Sequence, residues 1–246
     1  MNKCYSIYFS PTGGTKRVVE YFSKKDSIVI DLTKDVKQIT LDSTDVAFIG
    51  CPSYSGRVSH YATEKLKLIK GTNTPCVLIS SFGNRASEDV LVELEDIVTP
   101  NGFNVVAGME LVTRHSIFRN VAIDRPDEKD LSEYANFKFL IDKKLITKET
   151  VKMPGNRPYK PYKLMGAHPI TLDTCIKCGY CASVCPAGAI SKDNPAIIDP
   201  DKCIRCMRCT VVCPVGAKCL DKEVYKQMDE RLKEKFASRK ENRLYI

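Results

Sequence analysis

The chain has 246 residues, of which 38 are Lys or Arg and 30 are Asp or Glu, so its formal net charge is +8. It contains no long uninterrupted apolar run, and we therefore expect no membrane-spanning helix. The basic excess is concentrated in residues 143–169, where seven Lys or Arg residues accompany Glu149 alone. This Pro- and Tyr-rich connector is too local a feature to predict nucleic-acid binding.

Short apolar segments alternate with segments of helical periodicity over about the first 145 residues. Stretches rich in Val, Ile and Phe predict strands over residues 4–9, 27–32, 45–50, 75–81 and 103–112. Apolar residues at helical spacing predict helices over residues 15–22, 60–70, 86–98 and about 127–146. Because strands joined by helical crossovers form parallel sheets, the expected fold class is α/β, with a doubly wound five-stranded parallel sheet.

The loop after the first predicted strand is rich in glycine and hydroxyl groups. It reads Ser10-Pro11-Thr12-Gly13-Gly14-Thr15 and leads directly into a predicted helix. Its two glycines allow successive N–H groups to converge, and the helix N-terminus adds positive potential, which together favour a bound phosphate. The loop lacks the endings typical of P-loop nucleotidases and of dinucleotide-binding folds. A tight connection with no ligand would have a similar composition, but the position after the first strand favours phosphate binding.

This loop resembles the phosphate loop of the flavodoxins, Ser/Thr-x-Thr-Gly-x-Thr, through Ser10, Thr12, Gly13 and Thr15. The resemblance implies strand order 2-1-3-4-5 and FMN at the switch point, in contact with the loops after the third and fourth strands. These two loops offer Tyr54 or Phe82 as the stacking residue, and glycines for close backbone approach. The FMN-binding residues implied in this way are Ser10, Thr12, Gly13, Gly14, Thr15, Pro52, Ser53, Tyr54, Ser55, Gly56, Ser81, Phe82, Gly83, Asn84 and Arg85.

Two further residues of this part have a structural and a functional interpretation. Arg85 either lies near the flavin or pairs with Glu88. His115 is either a structural histidine, which we favour, or a proton donor. Four cysteines outside any motif are expected to be small buried apolar residues: Cys4, Cys51, Cys76 and Cys219.

One cysteine pattern occurs twice in the C-terminal part. The first cysteine run is Cys175, Cys178, Cys181 and Cys185-Pro186, and the second cysteine run is Cys203, Cys206, Cys209 and Cys213-Pro214. A zinc site and a disulfide framework are the other interpretations of these cysteines. Structural zinc sites do not need a third and fourth cysteine at this spacing. Disulfides are typical of secreted chains, whereas residues 1–10 do not resemble a signal peptide.

The spacing is that of the bacterial two-cluster ferredoxins, in which the cysteine before proline binds the other 4Fe-4S cluster. It therefore assigns Cys175, Cys178, Cys181 and Cys213 to one cluster, and Cys203, Cys206, Cys209 and Cys185 to the other. Arg205 and Arg208 lie between ligands of the second run, where the first run has only Lys177. Since nearby cations favour the more negative reduced state, we predict the higher reduction potential for the cluster of the second run.

The complete chain resembles the flavodoxin-ferredoxin fusion family of anaerobic bacteria and archaea. Segments typical of that family are Gly83-Asn84-Arg85, Arg114-His115-Ser116-Ile117 and Arg125-Pro126-Asp127. We accordingly expect a flavodoxin-like FMN domain over residues 1–145, a basic and solvated linker over 146–169, a two-cluster ferredoxin domain over 170–220 and an amphipathic helix over 221–246.

These parts predict a cytoplasmic protein that relays electrons between two 4Fe-4S clusters and FMN. Joining one-electron clusters to a flavin in a single chain raises the effective concentration of each for the other. The expected partner is a redox protein or a low-potential electron donor, with no nucleic acid and no membrane involved. The alternative is an FMN-dependent reductase of a small organic substrate, and a non-catalytic role is a third hypothesis. Donor, acceptor, direction of flow and oligomeric state stay open.

Overall fold

The computed structural model describes residues 2–164 and 167–246. Its main sheet contains five parallel strands: β1 (Cys4–Tyr8), β2 (Ile28–Asp31), β4 (Val46–Pro52), β6 (Thr74–Phe82) and β7 (Phe103–Val112). Their spatial order is β2-β1-β4-β6-β7. Two short strands, β3 (Ile39–Leu41) and β5 (Ile69–Gly71), form a separate parallel pair. The architecture is mixed α/β with a mostly parallel central sheet, and the five predicted strands lie within two residues of the observed ones.

Helices cover both faces of this sheet. They are α1 (Gly14–Phe22), α2 (His60–Leu66), α3 (Val90–Val98) and α4 (Glu128–Thr147). One apolar core lies between the sheet and α2 and α3, and another lies between the sheet and α1 and α4. Helix α1 approaches β4 so closely that a Cβ atom at Gly50 would overlap the side chain of Val19. The second predicted helix is shorter than expected because residues 69–71 pair with β3 as strand β5.

The cysteine-rich part is small and nearly symmetric. A short helix follows the start of each run, α5 (Tyr180–Ser183) and α6 (Arg208–Val212), after a residue with positive φ. Strands β8 (Ile170–Thr171) and β9 (Lys218–Cys219) pair in antiparallel fashion and close the unit. Its few buried apolar residues leave little core beyond the cysteines themselves.

The C-terminal segment returns to the main sheet, which corrects the predicted helix over 221–246. Helix α7 (Lys222–Phe236) is shorter, and β10 (Arg243–Tyr245) adds a sixth strand that pairs antiparallel with β7. The pairing covers the open edge of β7, and the side chains of Leu244 and Tyr245 join the cores on opposite faces. A three-residue strand has too little periodicity to be predicted from sequence.

A buried carboxylate holds this C-terminal segment in place. Asp130 is fully buried and accepts hydrogen bonds from Arg125, from Arg239 at 3.1 Å and from the Asn242 amide at 2.7 Å. The Asn242 side-chain oxygen in turn accepts from the backbone N–H of Val112 at 2.9 Å. The end of the chain is thus tied to α4 and β7 by polar contacts centred on a carboxylate that water does not reach.

The substitution Asp130→Asn is expected to lower the free energy of unfolding by about 3–5 kcal/mol, because it leaves Arg125 buried without a counterion. The matched control is Asp127→Asn at the exposed N-cap of α4, where asparagine is also a good cap and only an exposed ion pair with Arg239 is lost. For that control we expect a loss below about 1 kcal/mol. Urea unfolding followed by far-UV circular dichroism measures both, and equal losses would contradict this account.

The connector over 146–169 is largely exposed but attached to the first domain, as far as the structure describes it; residues 165 and 166 lie outside the described residues. Arg157 pairs with Asp96 at 2.7 Å and with Glu95 at 2.8 Å, and Lys160 pairs with Glu88 at 2.8 Å. Acidic residues at and near α3 thus hold two of the connector's cations, Arg157 and Lys160.

Apolar and cation–π contacts reinforce this attachment. Met153 is 5% exposed and lies so close to Gly108 that a Cβ atom there would overlap its sulfur. The Arg57 guanidinium stacks over the Tyr159 ring at 4.5 Å, and it also donates to Glu93. The connector therefore forms a strap on the first domain rather than a free tether.

Candidate functional site

A single cavity of about 300 Å³ lies at the carboxyl ends of β1, β4 and β6. We call it the central cavity. Its walls come from the loops after β1, β4, β6 and β7, from the connector, from the second cysteine run and from α7. Of the fifteen residues predicted to bind FMN, twelve line it: Ser10, Thr12, Gly14, Thr15, Pro52, Ser53, Tyr54, Ser55, Ser81, Phe82, Gly83 and Arg85. The other three, Gly13, Gly56 and Asn84, do not.

The loop 10–15 presents free backbone donors to this cavity. Gly13 has φ +91°, which allows α1 to begin immediately after the turn. The Ser10 hydroxyl accepts a hydrogen bond from the N–H of Lys16 at 2.8 Å. Within the described part of the chain, no acceptor contacts the N–H groups of Thr12, Gly14 or Thr15. Unpaired N–H groups at a helix N-terminus suit a phosphate or another anion, so the residues present fit the phosphate of FMN.

Tyr54 stands between the loops and the second cysteine run. Its ring lies 6.1 Å from that of Phe9, and the backbone of the same loop is tied to β6 by a 2.8 Å bond from the N–H of Ser53 to Ser81. Burial raises the pKa of Tyr54 well above 10, and the nearby thiols of Cys206 and Cys203 add to this shift. The phenol is therefore protonated at neutral pH and close to the proposed cluster ligands. Both aromatic candidates for stacking, Tyr54 and Phe82, line the cavity.

Arg85 pairs with Glu88, which is one of its two predicted interpretations. It lines the central cavity, and its guanidinium binds both carboxylate oxygens of Glu88, at 3.0 and 2.7 Å. Burial disfavours the charged form of Glu88, but hydrogen bonds from Arg85 and Lys160 outweigh it and lower the pKa of this carboxyl to about 2. Two of the cavity's cations thus share one carboxylate.

His115 is held as a neutral side chain. Its Nδ1 atom accepts the backbone N–H groups of Ile117 and Phe118, both at 3.1 Å, which assigns the proton of the neutral ring to Nε2. Burial, assisted by the charges of Arg85 and Arg119, lowers its pKa to about 4. At neutral pH this histidine therefore has no extra proton to give, which favours the structural interpretation.

The pKa of His115 predicts a pH dependence of stability. The unfolded chain takes up a proton near pH 6.5, whereas the folded chain does so only near pH 4. Stability should therefore fall as the pH drops through this window, by up to about 3 kcal/mol at about 1.4 kcal/mol per pH unit. His115→Asn keeps a hydrogen-bond acceptor but does not titrate, so its unfolding free energy should fall less between about pH 7 and pH 5. Urea unfolding at several pH values tests this, and parallel losses in both proteins would contradict it.

Two smaller cavities lie within the cysteine-rich part. One is bordered by Cys175, Cys178, Cys181 and Cys213, and the other by Cys203, Cys206, Cys209 and Cys185. Each therefore brings together three cysteines of one run and the last cysteine of the other, and the ligand assignment itself stays a prediction. Within residues 2–164 and 167–246, no His, Cys, Asp or Glu side chains converge to hold a single metal ion. A cubane differs from such a site because its four thiolates bind four separate irons.

Sequence analysis missed a buried lysine in this part. Lys218 is 2% exposed, and its ammonium donates to the Pro195 carbonyl at 2.6 Å and to the Thr171 hydroxyl at 2.5 Å. Burial raises the pKa of Cys181 and Cys209, one from each cluster set, and the charge of Lys218 opposes that shift in both. The corresponding position of the other repeat holds the buried Ile190. The signal that could have identified it is the alignment of the two repeats, in which Lys218 takes the place of the apolar Ile190.

The second cysteine run reaches the first domain directly. Cys206 and Arg205 line the central cavity, and the Arg208 guanidinium donates to the Pro11 carbonyl in the loop 10–15 at 3.2 Å. The Nε atom of Arg208 is buried and has no hydrogen-bond acceptor among the described residues. A buried donor without a partner leaves hydrogen-bonding capacity at the junction of the two parts.

Residues 174–217 match the family model of a 4Fe-4S dicluster domain. The match spans both cysteine runs and supports iron–sulfur electron transfer. Searches of curated proteins and of solved structures found no similar chain. No helix in residues 2–164 and 167–246 is long and apolar enough to cross a membrane. Residues 174–217 are therefore a 4Fe-4S dicluster ferredoxin domain, joined to a mixed α/β chain with a mostly parallel sheet.

Proposed function

We propose that this protein relays electrons between two 4Fe-4S clusters and FMN, and exchanges them with a redox protein partner. The observation that carries the proposal is that Cys206 lines the same cavity as the loops predicted to hold the flavin. The proposed ligands of the second cluster and the proposed flavin site are thus neighbours without any rearrangement of the chain.

Three features support FMN as the ligand of the central cavity. If the five parallel strands of the main sheet are counted along the chain, their spatial order β2-β1-β4-β6-β7 is 2-1-3-4-5, as in the flavodoxins. The cavity lies at the ends of β1 and β4, where that order reverses. Unpaired N–H groups of the loop 10–15 suit the phosphate, and Tyr54 and Phe82 offer aromatic faces. When bound, FMN would supply one- and two-electron chemistry, and the clusters would supply one-electron steps.

The positions of the cysteines indicate which of the two proposed clusters would lie nearer to the central cavity. Of the eight cluster cysteines, all of which the structure describes, Cys206 is the one that lines the central cavity. The set with Cys203, Cys206, Cys209 and Cys185 is therefore the proximal one. The other set includes the exposed Cys178 and is bordered by the exposed Ile176, so it is accessible to an external donor.

The contacts of the cavity favour relay over acid–base catalysis on a substrate. His115 is neutral and anchored at Nδ1, and the pKa of Tyr54 is raised well above 10. No Asp or Glu is among the described residues that line the cavity. A general acid works best with a pKa near the working pH, and none of these groups meets that condition.

The proposal is tested on the anaerobically purified full chain after reconstitution with iron, sulfide and FMN. We expect about eight irons and about one FMN per chain. Cys206→Ala should keep FMN, lose about four irons, and reduce its flavin at least about tenfold more slowly when mixed with a reduced ferredoxin. The matched control is Cys219→Ser, outside both runs. Absence of FMN, or equal flavin reduction in both variants, would reject the proposal.

A further inference from the structure

The central cavity carries charge of one sign only. Among the described residues that line it, seven are Lys or Arg and none is Asp or Glu, although the whole chain has 38 basic and 30 acidic residues. If the cavity lining had the same ratio of acidic to basic residues as the whole chain, about three of its seven charged residues would be Asp or Glu. The cations come from five separate parts of the chain, which are the loop after β6, the loop after β7, the connector, the second cysteine run and α7; they are Arg85, Arg114, Lys160, Lys163, Arg205, Arg231 and Lys235.

Four of these cations have no anionic partner within the described residues. Arg85 and Lys160 share Glu88, whereas Arg114 donates only to the carbonyl of Arg119. No ion pair involves Lys163, Arg231 or Lys235. The part of the cavity that these unpaired cations line takes in the loop after β7, the connector and α7; they are Arg114, Lys163, Arg231 and Lys235. We call this part the cavity mouth.

Contacts from Asn84 and His115 fix α7 over the cavity. The Asn84 amide donates to the carbonyls of Phe236 at 3.1 Å and of Ser238 at 3.0 Å, and the Phe236 ring lies 5.1 Å from that of His115. Asn84 was expected beside the flavin ring, but its side chain holds the end of α7 instead. This position keeps Arg231 and Lys235, one helical turn apart, at the same opening. Like charges at this spacing destabilise a helix, and a bound anion would relieve that repulsion.

The flavin phosphate alone does not balance these charges. It carries at most about two negative charges, and an oxidised proximal cluster with its four thiolates would add about two more. Against the seven lining cations and Glu88, this leaves about two positive charges in the cavity. A concave site of this kind suits a small molecule better than a flat protein surface. We propose that the cavity mouth binds a small organic anion with carboxylate groups next to the flavin site. The inference rests on the proposed function and goes beyond it, because it adds a small-molecule site beside the flavin site to the proposed relay.

The test is isothermal titration of the cluster- and FMN-loaded full chain with succinate. Succinamide is the uncharged isostere, and inorganic phosphate distinguishes carboxylate from phosphate recognition. We expect succinate to bind, succinamide not to bind, and the double variant Arg231→Gln/Lys235→Gln to bind succinate at least about tenfold more weakly, because it removes two charged hydrogen-bond donors. The control is Lys226→Gln/Lys233→Gln, which removes two charges of α7 outside the cavity lining and should change affinity less than about twofold.

Iron and FMN are quantified in the same samples, so the two proposals fail separately. The inference is overturned if succinate does not bind, if phosphate alone binds, or if the two double variants weaken binding equally. It is also overturned if Arg231→Gln/Lys235→Gln loses FMN, because the cations would then serve the flavin phosphate. If the unmodified chain takes up no FMN, the proposed function falls instead, and succinate binding to the iron-loaded chain still decides whether the mouth is an anion site.

Discussion

Cys213→Ala is expected to remove the cluster of the first cysteine run, although Cys213 belongs to the second. It borders the cavity of Cys175, Cys178 and Cys181, and its thiol accepts the N–H of Ala217 at 3.2 Å. Backbone N–H groups outweigh burial and lower its pKa, which favours the thiolate that binds iron. Loss of this fourth ligand should reduce iron from about eight to about four per chain.

Double variants show which cluster is lost. Cys178→Ala/Cys213→Ala removes two ligands of the same proposed cluster and should keep about four irons, whereas Cys178→Ala/Cys185→Ala removes one ligand of each and should keep almost none. Iron and sulfide analysis with electron paramagnetic resonance of the reduced protein measures both. The opposite pattern would show that each run holds its own cluster and would reject the exchange of ligands.

Lys218→Ile is expected to lower the reduction potentials of both clusters. The buried ammonium acts on a cysteine of each set, and a positive charge favours the extra electron of the reduced state. One charge that acts over on the order of 10 Å, at an effective dielectric constant of about 20, changes the free energy of reduction by about 1.7 kcal/mol. For a one-electron step this corresponds to roughly 70 mV in the reduction potential. Isoleucine supplies the apolar side chain found at Ile190, so the site stays filled.

The control for this substitution is Lys177→Gln, which removes an exposed charge beside the first run and should shift the potentials much less. Redox titration followed by electron paramagnetic resonance gives both midpoints, and far-UV circular dichroism checks the fold. Unmoved midpoints, or equal shifts in the two variants, would contradict the role of Lys218. Since Lys218 acts on both sets, the predicted higher potential at the second run, which depends on Arg205 and Arg208, stays a separate prediction.

Charge pairing explains why the connector and the acid–base residues were hard to predict. The surplus of basic residues over 143–169 is visible in the sequence, but the carboxylates that neutralise it lie about 60 to 70 residues earlier, at Glu88 and Asp96. Likewise, the sequence left two roles open for His115, and the distinction depends on the two N–H groups at Nδ1 and on burial.

Features that depend on local order were determined by the sequence alone. The strand and helix segments, the loop 10–15 and the two cysteine runs are set by residues close in the chain, because backbone geometry and ligand spacing act over a few positions. The tertiary structure alone decided which distant segments meet. It paired β10 with β7, used Asn84 to hold α7, buried Lys218 near both cluster sets, and joined Cys206 to the central cavity. These contacts arise from burial and charge complementarity between residues often more than a hundred positions apart, for which a linear pattern carries no signal.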